Sequence, residues 1–221
     1  MDVAMVDMHT PGDDGFWARV RRFLKRFVID MNPNPTEAWM RRPNLDFILD
    51  LDQSTLNGIG FGEPLSALSF LGPADEFMPM VAICVAENGR KLGKAEKSYN
   101  ASYRADGIGI STDKQFILDS FSISLQPEGD TPAVKAYTGK FVFNGQTMDT
   151  AAIDTVDSLL RVFGSPARDE EDPTGRHPYR RHLIYNRPGV MWMIFVDQTT
   201  RTQSLFVSET KSSNSKVSDA D

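Results

Sequence analysis

The sequence lacks most features that mark secreted, membrane-spanning or nucleic-acid-binding proteins. A single cysteine in 221 residues excludes an internal disulfide. No apolar run reaches the ~18 residues of a membrane-spanning helix, and residues 1–15 lack the basic and apolar regions of a secretory signal. With 24 Lys and Arg against 30 Asp and Glu, the net charge of −6 argues against nucleic acid as the main ligand. We therefore expect a cytoplasmic protein without a nucleic-acid or membrane partner.

Residues suited to metal binding or catalysis are also scarce. The protein has three histidines, and only two of them lie near a run of carboxylates. Their H-x4-H spacing differs from the i, i+4 pair of a helical zinc site, and the proline after the first of them breaks any helix between them. No G-x-S-x-G nucleophile motif is present. The cluster consists of Asp169, Glu170, Glu171, Asp172, His177 and His182.

The sequence therefore predicts no catalytic, cofactor-binding or metal-binding residue, and favours a protein that is not an enzyme. The alternative that stays open is a hydrolase, metal-dependent or carboxylate-based, that uses the polar loop of residues 169–182. In such an enzyme the acidic run would supply carboxylates for acid–base chemistry. Adjacent acids in a polar loop are usually only solvated, which favours the non-enzymatic hypothesis.

Three glycines at alternate positions, Gly58, Gly60 and Gly62, resemble a phosphate-binding loop superficially. The dinucleotide fingerprint needs a third glycine where Glu63-Pro64 stands, and no lysine follows as in a P-loop. We interpret these glycines as the end of a strand, with Glu63-Pro64 starting a short helix. No nucleotide cofactor is expected.

The clearest pattern in the sequence is a stretch that occurs twice. Leu56–Gly72 joins a strand with glycines to a short apolar helix, and a tyrosine-to-glycine step follows at Tyr103–Gly107. In the second half, Gly139–Gly145 precedes a longer helix, predicted over Met148–Phe163, and Tyr185–Gly189 repeats the step. Strands with alternating apolar residues come after each copy. The pattern predicts an α+β fold of two tandem helix-plus-antiparallel-sheet repeats.

The repeat divides the protein into four predicted segments. Residues 1–44 are an N-terminal helical extension, residues 45–130 and 131–209 are the two α+β repeats, and residues 210–221 are a disordered tail. The extension carries an amphipathic helix whose basic side could bind an anionic membrane surface. We expect it to dock on the acidic body instead, because the phenylalanines of its apolar stripe are typical of core packing. The stripe consists of Phe16, Val20, Phe23, Leu24, Phe27 and Val28.

A glycine, a short helix that ends in Gly-Pro or Gly-x-Pro, a Tyr-x-x-x-Gly step and several strands together resemble the repeat of the β-lactamase-inhibitor-protein-like fold. The unit is also similar to the small lipoprotein of the outer-membrane barrel-assembly machinery. The resemblance covers roughly residues 50–208 and implies an α+β fold that binds other proteins without a conserved chemistry. It predicts a non-enzymatic, inhibitor- or immunity-like module whose partner is another protein. The matching positions are Gly62, Gly72, Pro73, Tyr103, Gly107, Gly145, Gly164, Pro166, Tyr185 and Gly189.

One predicted strand, Val190–Val196, is apolar on both faces. Trp192 shares one face with Ile194, and Met193 lies on the other, whereas a sheet with helices on one side should show one polar face. Another part of the protein or a partner must cover the second face. We expect Trp192 to lie in the core, with any partner surface formed by loops at the sheet edges.

Overall fold

The structure is a computed structural model that describes residues 34–82, 96–128, 133–171 and 181–210. The protein divides into two compact units that interleave along the sequence. Unit 1 takes residues 1–45, 62–103 and 109–118, and unit 2 takes residues 46–61, 104–108 and 119–221. The helix predicted in the N-terminal extension and nearly all of the predicted tail lie outside the described residues. The four predicted segment boundaries stay a prediction.

The described residues form thirteen strands and three short helical segments. The helical segments are a 3-10 helix at Leu65–Leu71, a second one at Thr150–Ile153, and an α-helix, α1, at Val156–Phe163. The strands are β1 (Ile48–Asp50), β2 (Thr55–Leu56), β3 (Ile59–Gly60), β4 (Glu76–Ala82), β5 (Glu96–Tyr103), β6 (Ile108–Thr112), β7 (Leu118–Ser124), β8 (Lys140–Phe143), β9 (Gln146–Met148), β10 (Arg168–Glu171), β11 (Arg181–Arg187), β12 (Val190–Val196) and β13 (Thr202–Glu209).

Unit 2 contains two sets of paired strands. One set has the order β3-β2-β1-β8-β9, and the other has the order β10-β11-β12-β13-β7. Neighbours are antiparallel except for β1 and β8, which run parallel with Leu49 opposite Phe141. On the second set, Trp192 of β12 stands opposite Tyr185 of β11 and Val207 of β13. The first and second halves of the sequence therefore share one set of strands through β1 and β8.

Unit 1 is built on the antiparallel pair of β4 and β5, with Phe77 opposite Ala101. Its 3-10 helix buries Leu65, Leu68 and Leu71 and ends at Gly72, whose φ of 80° suits a residue without a Cβ atom. The backbone N–H of Gly72 donates to the carbonyl of Ser69. The helix is therefore stopped by glycine where the sequence predicted it.

The predicted α+β fold class is wrong, because the described residues form mainly β-sheet. The longest helix among them has eight residues, and the helix predicted over Met148–Phe163 is instead divided between β9, a 3-10 turn and α1. The physical reason is the cap at Thr155: its hydroxyl accepts from the backbone N–H of Ser158, and the Ser158 hydroxyl accepts from the backbone N–H of Thr155. Upstream, Met148 pairs with Phe141 in the β8–β9 ladder. The apolar residues keep their helical spacing through β9 and the Thr155 cap, so the spacing alone cannot show that a strand ends and a new helix begins there.

The core of unit 2 confirms the prediction made for Trp192. This residue is 2% exposed, and Ile194 and Val196 on the same face of β12 are also buried. Met191, Met193 and Phe195 on the other face are half-buried. From Trp192 to Val196 the strand therefore has one buried face, while Val190 at the start of that face is half-buried, because side chains alternate between the two sides of the sheet.

Candidate functional site

An open groove with a volume of about 530 Å³ lies in unit 2. Its walls are the turn after β1, the end of β3, the β8–β9 hairpin and the β11–β12 turn, and the end of β13 closes it. We call it the Arg187 groove. Its lining residues are Leu51, Asp52, Gln53, Ser54, Gly60, Phe61, Phe143, Asn144, Arg187, Pro188, Gly189, Val190, Trp192 and Glu209.

One wall is held in place by the carboxylate of Asp52. Its Oδ1 accepts from the backbone N–H of Asn144 at 2.9 Å, and its Oδ2 accepts from the backbone N–H of Gly145 at 2.8 Å. Asn144 and Gly145 have φ angles of 51° and 68°, the left-handed pair that a two-residue hairpin turn requires. The β8–β9 turn in the groove wall is therefore held by hydrogen bonds to a side chain that is distant in sequence.

The groove floor belongs to an aromatic cluster around Trp192. The Trp192 ring centroid lies 5.7 Å from that of Phe143, 5.4 Å from that of Phe163 and 6.3 Å from that of Tyr185. The hydroxyl of Tyr185 donates to the carbonyl of Gly164 at 3.0 Å, which ties β11 to the end of α1. Burial, helped by the negative charge of Asp169, raises the pKa of Tyr185 to about 12. The floor is therefore an apolar, interlocked surface with little freedom to rearrange.

The exposed side chain of Arg187 lies against this floor. Its guanidinium carbon is 5.1 Å from the ring centroid of Trp192 and 5.5 Å from that of Phe143, which are cation–π distances. Among the described residues, no acceptor or carboxylate bonds to this guanidinium, although Asp52 and Glu209 line the same groove. Both oxygens of Asp52 already accept backbone N–H groups. The ring contacts therefore orient a cation whose N–H donors remain available.

The acidic run predicted as part of a polar loop is instead a strand. Residues 168–171 form β10, with Asp169 opposite Leu183 and Glu170 opposite His182. Arg181 donates to both oxygens of Asp169, at 2.7 and 2.6 Å, and this contact lowers the pKa of the carboxyl. The ring of His182 packs edge-on against Phe195, with centroids 4.9 Å apart. The interpretation of residues 168–171 as a loop is therefore corrected, because antiparallel pairing satisfies their backbone groups.

The described residues include no group of three or more His, Cys, Asp or Glu side chains placed to hold a metal ion. Asp172 and His177 lie outside the described residues, so the structure does not test the full predicted cluster. The predicted absence of catalytic, cofactor-binding and metal-binding residues stays a prediction. Where the cluster is described, Asp169 is paired with Arg181.

Sequence reasoning does not single out Arg187, Asp52 or Glu209 as site residues. It includes Arg187 only within the Tyr185–Gly189 step. A usable signal is present, since an arginine follows a buried strand and precedes a Pro-Gly turn beside the tryptophan strand. That this turn and residues 51–54 line the same groove could not be predicted without the fold.

No helix of the described residues combines the length and the apolar character needed to cross a membrane. Comparisons with protein-family models, with curated proteins and with solved structures find no match to this protein. The resemblance to the β-lactamase-inhibitor-protein-like fold therefore stays a prediction. The argument for function rests on the Arg187 groove itself.

Proposed function

We propose that this protein is a non-enzymatic module that binds another protein through the Arg187 groove. The observation that carries the proposal is the exposed guanidinium of Arg187, which two aromatic rings orient and no described group pairs. Arginine and tryptophan are the residue types most enriched at the energetic centres of protein interfaces. The arginine is already fixed by the rings, so a partner loses less conformational entropy in binding it.

The groove forms only the centre of such an interface. A stable protein–protein interface buries ~800 Å² on each partner, so the surrounding turns must also be covered. The rim is suitable, because Gln53, Asn144 and Glu209 are exposed and polar. An inhibitor- or immunity-like role and a cytoplasmic location are the finer parts of the proposal.

The direct test is affinity capture from native lysate with the full-length protein and an Arg187→Glu variant, followed by mass spectrometry. We expect the wild-type protein to retain a partner that the variant loses, because reversal of charge removes the N–H donors and repels their acceptor. Arg161→Glu is the matched control, since Arg161 is equally exposed and lies on α1, outside the groove lining.

Two results would contradict the proposal. The first is a partner that the wild-type protein and Arg187→Glu retain equally, while both proteins have the same melting temperature. The second is stoichiometric zinc or hydrolytic activity in the purified protein that His182→Ala removes. The second result would restore the hydrolase alternative, which stays untested.

A further inference from the structure

The β11–β12 turn of the groove has a counterpart in the first copy of the repeat, the β5–β6 turn. Gly107 and Gly189 end the two Tyr-x-x-x-Gly steps, with φ angles of 66° and 75°. The carbonyl of Gly107 accepts from the backbone N–H of Ser124 at 2.9 Å, and that of Gly189 accepts from the backbone N–H of Thr210 at 2.9 Å. The first turn has four residues and the second has two, but each ends in a glycine with a left-handed φ, and the carbonyl of that glycine accepts from a later strand end.

The two turns differ in what covers them. A Cβ atom added to Gly107 would lie 2.4 Å from the carbonyl oxygen of Lys135 and 2.7 Å from the backbone nitrogen of Tyr137. The backbone N–H of Lys135 also donates to the carbonyl of Arg104 at 2.9 Å. A Cβ atom added to Gly189 would meet no atom of the described residues within 4 Å. Residues 133–137 thus cover the first turn, whereas the second turn opens into the Arg187 groove.

The chemistry of the groove selects among segments that could cover the second turn. Arg187 presents a planar guanidinium that suits the two oxygens of a carboxylate. The lining has two carboxylates, those of Asp52 and Glu209, and one guanidinium, that of Arg187, so it carries more negative than positive charge. A phosphate group, with ≈ −1.5 to −2 charge, is repelled more strongly there than a carboxylate with a single charge. The groove therefore favours a carboxylate over a phosphate.

We infer that the Arg187 groove binds a short peptide segment of a partner protein, which covers the β11–β12 turn as residues 133–137 cover the β5–β6 turn and gives a carboxylate to Arg187. The inference rests on the proposed function and specifies what the partner presents. Residues 133–137 are an internal segment, so the segment that covers the second turn is also internal, and its carboxylate is the side chain of an Asp or Glu residue.

Three capped peptides test the inference on the full-length protein by NMR. Acetyl-Gly-Asp-Gly-amide carries the carboxylate of an aspartate, acetyl-Gly-Asn-Gly as a free acid carries a terminal carboxylate, and acetyl-Gly-Asn-Gly-amide carries neither. We expect the aspartate peptide to shift the Nε–H signal of Arg187 in a saturable way and to give NOE contacts to the Hα atoms of Gly189. Tighter binding of the terminal acid would overturn the assignment to a side chain.

Two variants separate charge from geometry. Arg187→Gln should abolish binding of the acids, and Arg187→Lys should weaken it roughly tenfold, because an ammonium group cannot form the paired contact. Arg161→Gln should leave binding unchanged. Equal shifts with the neutral amide, or binding that survives in Arg187→Gln, would overturn the inference.

The protein's own acidic residues near the C-terminus are the competing occupant. If Asp219→Asn with Asp221→Asn changes the Arg187 signal without any peptide, the groove is occupied by the protein itself and the inference fails. Failure of the acids to bind, with partner capture still lost in Arg187→Glu, would refute the carboxylate assignment and leave the proposed function standing.

Discussion

The two Asn-Gly hairpin turns of unit 2 have one backbone form and are secured in opposite ways. Asn57 and Gly58 have φ angles of 52° and 82°, close to those of Asn144 and Gly145. The side chain of Asn57 bonds to the start of the neighbouring strand β1, accepting from the N–H of Ile48 at 2.9 Å and donating to the carbonyl of Asp46, just before that strand, at 2.8 Å.

In the second turn the bonds are made by a side chain from elsewhere in the sequence. Asp52, which follows β1, accepts the backbone N–H groups of Asn144 and Gly145, and no bond of the Asn144 side chain is seen among the described residues. The first turn is therefore secured by its own asparagine side chain, which bonds to residues 9 and 11 positions earlier, while the second depends on a carboxylate from the other copy. This difference places the second turn in the groove wall and leaves the exposed Asn144 amide facing solvent.

The largest expected effect comes from removing the Trp192 side chain, which lies beneath the second turn. Trp192→Ala should lower the free energy of unfolding by ~3–5 kcal/mol, because it leaves a cavity among Phe143, Phe163 and Tyr185. Met191→Ala is the matched control on the other face of β12, where the side chain is only half-buried, and should have a smaller effect. Chemical denaturation measures both, and equal losses would show that the second face is as fully packed as the first.

The next effect separates the covered turn from the open one. Gly107→Ala should destabilise by roughly 2–5 kcal/mol, because the new Cβ atom adds a clash with the Lys135 carbonyl to the left-handed backbone strain. Gly189→Ala should cost only about 1–2 kcal/mol, from backbone strain alone. Thermal melts of the two variants measure the difference in destabilisation. Equal costs would contradict the statement that only the first turn is covered.

A smaller effect distinguishes the two ways of securing an Asn-Gly turn. Asp52→Ala should destabilise by about 1–2 kcal/mol, since the released N–H groups are exposed and water can replace the carboxylate. In this variant, amide hydrogen exchange should become faster at Asn144 and Gly145 and stay unchanged at Gly58. In Asn57→Ala, exchange should become faster at Gly58 and stay unchanged at Asn144 and Gly145. Faster exchange at both turns in either variant would mean that the hairpins are coupled.

The smallest effect is a pH dependence. Burial raises the pKa of Tyr185 from 10.0 in the unfolded protein to about 12 in the fold, so the folded state holds the proton more tightly. The contribution of Tyr185 to the free energy of unfolding is complete below pH 10 and is lost as pH rises toward about 12. Tyr185→Phe should flatten part of this decline. Tyr137 supplies the rest, because burial also raises its pKa. An identical pH profile for Tyr185→Phe would contradict the assignment.

The sequence could predict the features that depend on local chemistry. The glycines at positions 72 and 164 do end helical segments, with φ angles of 80° and 76°, because the left-handed region suits glycine. Trp192 is also buried as expected, on a predicted strand that is apolar on both faces. These features involve neighbours in sequence, which pattern reasoning can compare directly.

The fold class and the site depend on distant contacts and could not be predicted in the same way. Helical spacing suggested one long helix before Phe163, but pairing of Met148 with Phe141 placed part of it in a strand. The bond of Asp52 to Asn144 joins residues 92 positions apart. Arg187 acquires its role only because the β8–β9 hairpin and β12 bring Phe143 and Trp192 together.

Hydrogen exchange of the full-length protein, alone and with its captured partner, tests the central claim most directly. The Arg187 groove predicts slower exchange at residues 51–54 and at Asn144, Arg187, Gly189 and Val190 in the complex. It predicts no change at residues 104–107, the matching turn that residues 133–137 already cover. Protection confined to the β10 strand or to residues 104–107, with the groove amides unchanged, would contradict the account.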